Sequence, residues 1–111
     1  MQFVFGEVTT YQELQSRVSQ SAELSEALSI SIDNPEELTH AQKIQVTAWL
    51  EEWLSLIATW ANLNTRGVLS EDQLEQRMGN ECSTYLEHRV LLDELRSKRD
   101  YGFPLIDQHC E

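Results

Sequence analysis

The residues best suited to metal or acid–base chemistry are three histidines and two cysteines. A metal site would need His40, His88, His109, Cys82 or Cys110 to converge, with each other or with carboxylates. His109 and Cys110 are neighbours that would point apart on a helix, and Cys82 and His88 do not have the i, i+3 or i+4 spacing of a helical metal site. We therefore expect no metal and no cofactor, with surface histidines and a half-buried Cys82.

Catalysis by a cysteine would require a thiol with a lowered pKa beside a basic partner. His109 precedes Cys110 close to the last residue of the sequence, whereas a catalytic pair needs rigid geometry. Paired carboxylates such as Glu51–Glu52 and Asp93–Glu94 are expected on solvent faces. The sequence also has no phosphate-binding glycine loop, no nucleophile elbow and no zinc-protease motif. We expect no catalytic residue and no enzyme.

The strongest pattern is an amphipathic run from Leu38 to Asn62 that contains all three tryptophans. Its main apolar stripe has the alternating three- and four-residue spacing of a helix seam: Val46, Trp49, Trp53, Leu56, Trp60 and Leu63. A second stripe lies beside it: Leu50, Leu54, Ile57 and Ala61. Because such a helix is unstable alone, it must bury this wide face on the rest of the fold or on a second chain.

Three interpretations of the tryptophan stripe remain open. It forms the core of one chain, or it is the seam of a homo-oligomer, because tryptophan is enriched at interfaces. Alternatively, it lines a pocket for a hydrophobic ligand between helices. The candidate interface or pocket residues are Trp49, Trp53, Leu56 and Trp60.

Capping signals predict the helices that position these residues. Thr10 and Glu13 have the form of a capping box, and the helix they open breaks near residue 20. Thr39 and Gln42 open the central helix, which runs to about residue 64 and ends before Gly67, a candidate for the left-handed C′ position. The alternation of residues 28–32 predicts either a strand that pairs with residues 2–5 or a helix end that runs into an extended linker.

The second half of the sequence has a further helix start at Ser70, with Gln73 closing a capping box. We predict that Gly79–Asn80 interrupts this helix and that the last helix spans about 81–100. The run Tyr101–Pro104 predicts a stop. Residues 105–111 are then expected to be loose unless Leu105 and Ile106 dock.

Composition favours one acidic helical domain over residues 1–111. The chain has only four glycines and two prolines, which favours a mainly α fold of four helices with an optional short N-terminal β element. Its net charge of −11 repels nucleic acids and anionic membranes, so we expect neither as a partner. No apolar run is long enough for a transmembrane helix, and the start has no signal-peptide pattern. We expect a cytoplasmic protein with reduced thiols.

From Ser21 to Leu95 the order of signals resembles a helical segment of uncharacterised bacterial proteins, often found beside a membrane anchor. The matching residues are Ala22–Leu24, then Leu38–Thr39, Trp53 within the amphipathic helix, and Gly67–Asp72. The sequence departs from the pattern at Leu74, where an aromatic residue is expected, and by having no transmembrane helix. The small size and acidity also resemble products of mobile gene cassettes. The resemblance implies helices and transfers no activity.

These observations predict a non-enzymatic protein-interaction or accessory module that uses an apolar helix face. The expected partner is another protein, including a second copy of the chain in a homodimer. Two alternatives are a protein that binds a small hydrophobic ligand in a tryptophan-lined pocket and an acidic inhibitor that mimics nucleic acid.

Overall fold

The computed structural model describes residues 14, 16, 18, 20–98 and 103–110. Residues 21–98 and 103–110 form five α-helices and one 3₁₀ turn, residues 14, 16, 18 and 20 are also helical, and the described ranges contain no strand. The helices are α1 (Ala22–Asp33), α2 (His40–Thr65), α3 (Glu71–Glu87), α4 (Arg89–Arg96) and α5 (Phe103–Cys110), with the 3₁₀ turn at Pro35–Glu37. This confirms the mainly α fold class. The β element considered for residues 2–5 and the capping box predicted at Thr10 lie outside the described residues.

The chain forms two compact units that divide between Trp53 and Leu54, within α2. The first unit contains α1, the 3₁₀ turn and α2 as far as Trp53. The second contains the rest of α2 and helices α3, α4 and α5. The single domain expected over residues 1–111 stays a prediction.

In the first unit, Ser21 caps α1, because its hydroxyl oxygen accepts a hydrogen bond of 3.1 Å from the amide of Leu24. This cap is the break predicted near residue 20. The helix then continues through residues 28–32 to Asp33, which excludes the strand, one of the two alternatives left open for these residues. Ala27, Leu28 and Ser31 are buried at helical spacing, and their common face favours the helix over the alternation seen in the sequence.

Both predicted caps of α2 are confirmed. At its start, the Thr39 amide donates to Gln42 at 3.0 Å and the Gln42 amide donates to Thr39 at 3.1 Å. At its end, Gly67 has a φ of 79°, a conformation that costs glycine little. The amides of Gly67 and Val68 donate to the carbonyls of Asn64 and Leu63, which completes a Schellman motif.

In the second unit, α3 begins at the predicted capping box of Ser70 and Gln73. The predicted interruption at Gly79 is wrong, because α3 runs through this residue to Glu87. The helix ends at His88, and the next helix begins at Arg89. A glycine within a helix costs only about 1 kcal/mol relative to alanine. Residues of one face, buried on both sides of Gly79, outweigh that cost: Leu74, Met78, Glu81 and Tyr85.

The segment after residue 102 is a helix and not a loose tail. Pro104 is the second residue of α5, a position where the missing amide hydrogen of proline costs little. Phe103, Leu105 and Ile106 are buried, and α5 packs along α3. The docking that the sequence left open for Leu105 and Ile106 therefore takes place.

Candidate interaction surface

The structure buries the side chains of the predicted site residues. Trp49, Trp53, Leu56 and Trp60 have exposed fractions of 7, 1, 2 and 5 %. Of the three interpretations of the stripe, burial in the core agrees with these exposed fractions. Four side chains that are already buried within one chain leave little surface for a seam between two chains. The physical reason is that the fold itself covers the wide apolar face from which the seam was predicted.

Two of the tryptophans have polar or charged neighbours as well as apolar ones. In the first unit, the indole N–H of Trp49 donates a buried hydrogen bond of 3.2 Å to the carbonyl of Leu14. In the second unit, the guanidinium of Arg77 lies 5.5 Å from the centre of the Trp60 ring, in a cation–π contact. Both tryptophans therefore hold neighbouring segments in place, which is a structural role.

The exposed apolar surface of α2 lies on a different side of the helix. Ala41, Ile44 and Ala48 are exposed, with Ile44 at 57 %, and they follow each other at intervals of three and four residues. We call these three residues the exposed seam. Their spacing is that of a coiled-coil contact, and side chains at such positions share one helix face. The exposed seam is therefore an unpartnered helix face within the described residues.

Two grooves run along the exposed seam, one on each side of Ala48. The first has a volume of about 400 Å³ and lies between α1 and α2, with Leu24, Gln45, Trp49 and Glu52 in its walls. The second has a volume of about 390 Å³ and follows α2 alone. Its lining residues are His40, Lys43, Ile44, Thr47, Ala48 and Glu51. A ridge flanked by grooves is the surface that helices use when they pack on each other.

Charges are distributed unevenly along this surface. His40 and Lys43 lie at the start of α2, whereas Glu51 and Glu52 lie two turns further on. Lys43 is one of only two lysines or arginines in residues 1–65, which contain nine acidic residues. The surface around the exposed seam therefore has a lysine near the start of α2 and two carboxylates further along the helix.

Reasoning from the sequence did not identify the exposed seam, because the apolar pattern of the tryptophan stripe is much stronger. Ala41, Ile44 and Ala48 show the same three- and four-residue spacing, which is the signal that identifies them. Two of the three are alanines, which contribute little to a count of apolar surface. Exposure in the structure separates this stripe from the buried one, and sequence spacing alone cannot.

The second unit has a smaller exposed apolar pair. Leu86 and Val90 are 58 and 57 % exposed and lie on either side of the break at His88. Nearby, the guanidinium of Arg89 lies 5.7 Å from the ring centre of the buried Tyr85. The pair consists of only two exposed apolar side chains, so it makes a weaker candidate than the exposed seam.

The cysteines correct one prediction from the sequence. Cys82 of α3 and Cys110 of α5 form a disulfide, with their Cα atoms 5.3 Å apart, and are not the reduced thiols that we expected. The prediction took reduced thiols from the cytoplasmic location expected for the chain, and the sequence did not show that the packing of α5 along α3 brings Cys110 to Cys82. His109, beside Cys110, has a buried Nε2 atom with no hydrogen-bond partner among the described residues.

Ionic and aromatic contacts add to the docking of α5. The guanidinium of Arg96 donates two hydrogen bonds to the carboxylate of Asp107, at 2.8 and 3.2 Å. The same guanidinium lies 4.5 Å from the ring centre of Phe103. A bidentate pair fixes both position and orientation, so Arg96 ties the end of α4 to α5. This cluster, like the disulfide, is part of the framework of the second unit.

His88 is buried at 5 % exposure, contrary to the surface position expected for the histidines. Burial lowers the pKa of His88 below its ordinary value of 6.5, because removal from water disfavours the charged imidazolium. The described residues contain no group of three or more histidine, cysteine or acidic side chains that could hold a metal ion.

No helix among the described residues combines the length and the apolar character needed to cross a bilayer.

The chain matches no protein-family model, no curated protein and no solved structure. Its resemblance to a helical segment of bacterial proteins therefore stays a prediction, and the candidate surface is argued from its own residues.

Proposed function

We propose that this chain is a non-enzymatic protein-interaction module that binds a helix of another polypeptide on the exposed seam. The observation that supports this proposal most is the exposure of Ile44, at 57 %, between Ala41 and Ala48 on one face of α2. A helix that docks there would cover Ile44 and place its own ridges in the two grooves. Helix-in-groove binding of this kind needs neither a cofactor nor a catalytic residue.

The expected assembly is a homodimer that forms at micromolar concentrations. The surface around the exposed seam includes both charges and small apolar groups, which suits an interface that forms between folded chains and also dissociates. Its acidic surroundings select against acidic partners, because like charges across an interface are destabilising. Among other polypeptides, a basic or neutral helix is therefore favoured. A second copy has the same net charge of −11, so a homodimer must offset this repulsion through apolar contacts at the exposed seam.

Light scattering on the whole chain over a range of concentrations tests this proposal. We expect a mass above the monomer value of 12.9 kDa at micromolar concentrations, and a shift towards the monomer for Ile44→Gln. Leu86→Gln is a matched control, because Leu86 is also helical and is 58 % exposed. An equal effect of both substitutions, or an effect of Leu86→Gln alone, would place the interface elsewhere.

A second candidate function is the binding of a small hydrophobic ligand in the first groove. The observation in its favour is that Trp49, one of the predicted pocket residues, lines this groove together with Leu24. Gln45 and Glu52, which share a face of α2 with Trp49, add polar groups to the lining, which suits a ligand with an apolar body and a polar end. A change in tryptophan fluorescence on addition of an amphiphilic probe, abolished by Leu24→Glu, would favour this alternative over helix docking.

The disulfide bears on where such a module works. The sequence predicted a cytoplasmic protein with reduced thiols. Disulfides, however, persist in oxidising compartments and are rare in the cytosol. The bond between Cys82 and Cys110 therefore supports an oxidising environment. Alkylation of the protein in its native host before denaturation, followed by mass spectrometry, distinguishes two blocked thiols from an intact disulfide.

A further inference from the structure

We propose that the disulfide between Cys82 and Cys110 is a redox switch that holds α5 on α3 and releases this helix when a dithiol reduces the bond. The proposal concerns only the second unit, so it does not depend on the exposed seam, which lies in the first unit. It is supported by the position of the bond on α5, by a buried imidazole nitrogen beside Cys110 and by the partial exposure of both cysteines.

The disulfide holds the half of α5 that has no buried apolar side chain. Phe103, Leu105 and Ile106 are buried in the first half, whereas the residues at positions 107–110 are exposed or half-buried. The helix α5 has only 8 residues, and a helix this short is not stable in water unless it packs on other elements. Cys110 is the last residue of α5, so its bond to α3 fixes the half of the helix that apolar packing does not.

The ion pair of Arg96 and Asp107 also connects this half of α5 to the fold. The bidentate geometry orients the two helices, but the side chains of the pair are 37 and 43 % exposed. Ion pairs at exposed positions contribute little to stability, because water screens the attraction. Reduction of the disulfide therefore removes the strongest contact of this half of the helix.

The imidazole of His109, next to Cys110, favours the released position of α5. Its Nε2 atom is buried and has no hydrogen-bond partner among the described residues. A buried polar atom of this kind costs free energy, because it has lost the hydrogen bonds that water would make. Movement of the last turn of α5 away from α3 returns this atom to water. The docked position of α5 therefore has a cost that the disulfide offsets.

Both cysteines are half-buried, so a dithiol in solution can reach the bond. One thiolate of the dithiol attacks the sulfur of Cys82 or Cys110 and forms a mixed disulfide, while the other cysteine leaves as a thiolate and takes up a proton. The second thiolate of the reductant then attacks the mixed disulfide and releases the remaining cysteine, which is protonated in turn. Two electrons and two protons pass to the chain, and the dithiol becomes a disulfide.

Release of α5 is expected to uncover apolar surface on both helices. Met78 and Tyr85 are fully buried, and they lie four residues before and three residues after Cys82, on the same face of α3. The disulfide brings α5 to this face. When α5 leaves, Phe103 also loses its cover. The reduced chain therefore has an apolar surface that the oxidised chain conceals.

Hydrogen exchange on the whole chain, measured by mass spectrometry, tests the switch. The oxidised chain is compared with the chain in dithiothreitol, a dithiol, without denaturant. We expect the amides of α5 to exchange at least about tenfold faster after reduction and those of α2 to change by less than about twofold. Replacement of the dithiothreitol by oxidised glutathione should restore slow exchange.

The double variant Cys82→Ala/Cys110→Ala is the control for the reductant. It should show fast exchange in α5 without dithiothreitol and no response when dithiothreitol is added. If this variant does not fold, the oxidised and reduced forms of the unaltered chain still provide the comparison.

Two substitutions on α5 test the contribution of His109. His109→Leu removes the buried nitrogen at similar side-chain size, and it should slow reduction by dithiothreitol about threefold, because opening of the last turn is then less favourable. Gln108→Leu is the matched control at an exposed neighbouring position and should leave the rate unchanged. Equal rates of reduction in the two variants would overturn the role of His109.

Three results of these experiments would overturn the switch itself. If dithiothreitol reduces the bond only in denaturant, the disulfide is not accessible in the folded chain. If α5 stays protected from exchange after reduction, non-covalent contacts are enough to hold it. If all the helices lose protection together, the disulfide maintains the whole fold and does not control one helix.

Discussion

Trp53 lies in the middle of α2, and its side chain is only 1 % exposed. Removal of a fully buried tryptophan loses its apolar contacts and leaves a cavity that the surroundings fill only in part. We expect Trp53→Ala to lower the free energy of unfolding by about 3–5 kcal/mol, as measured by denaturant unfolding. Leu86→Ala, at an exposed helical site, should change it by less than about 1 kcal/mol. Equal effects of the two substitutions would contradict the burial of Trp53.

His88 predicts a dependence of stability on pH. Its pKa is lowered in the folded chain by burial, so the unfolded chain binds the proton more readily. The free energy of unfolding should therefore fall as the pH drops below 6.5, with a slope of at most about 1.4 kcal/mol per pH unit from this one group. The measurement is urea unfolding at several values between pH 7.5 and 5.

His88→Gln provides the control for this pH dependence, because glutamine does not titrate there. The variant should lose the part of the slope that begins below pH 6.5 and keep the part that belongs to the carboxylates. If the dependence of the free energy of unfolding on pH is the same in the variant, folding does not favour the neutral form of His88.

Among the secondary-structure elements, Gly79 and Gly67 are expected to respond to alanine substitution with opposite changes in stability. Gly79 lies inside α3, and a Cβ atom added there would meet nothing within 4 Å, so Gly79→Ala should stabilise the chain by about 0.5–1 kcal/mol. Gly67 also has open space, but its φ of 79° disfavours any side chain. Gly67→Ala should destabilise the chain by about 1 kcal/mol. Thermal unfolding of the two variants should shift in opposite directions.

The helix α5 is expected to depend on the disulfide. The bond between Cys82 and Cys110 spans 28 positions, and closing a loop of that length stabilises a fold by about 3–4 kcal/mol in the chain-entropy model. A dithiol reductant should therefore lower the free energy of unfolding by a similar amount. The variant Cys82→Ala/Cys110→Ala should resemble the reduced chain and be insensitive to the reductant. A reductant effect on that variant would point to another cause.

The elements show which parts of a sequence determine local structure. The starts at Thr39 and Ser70 and the end at Gly67 were predictable, because each depends on hydrogen bonds between residues close in sequence. The break at His88 and the helix α5 were not, because they depend on which faces are buried. The same limit applies to the candidate surface, since the spacing of Ile44 is visible in the sequence but its exposure is not.

For the whole molecule, the net charge of −11 predicts that the chain does not bind DNA. Its carboxylates are dispersed, and those at the start of α3, Glu71 and Asp72, are explained by the helix dipole without any partner. We therefore also expect no tight binding to DNA-binding proteins, against the alternative of a nucleic-acid mimic. Salt-sensitive binding to a purified histone-like protein, lost on charge reversal of Glu51 and Glu52, would support the mimic.

The disulfide also changes the topology of the chain. Residues 82–110 form a covalent ring that is closed through sulfur, and α4 lies within it. A protease that cuts once after Lys98 or Arg99 opens the ring without separating the pieces, so the intact mass rises by a single water molecule. Only reduction then releases a C-terminal peptide that contains α5. The ring thus makes the molecule tolerant of a nick that would remove the last helix from a linear chain.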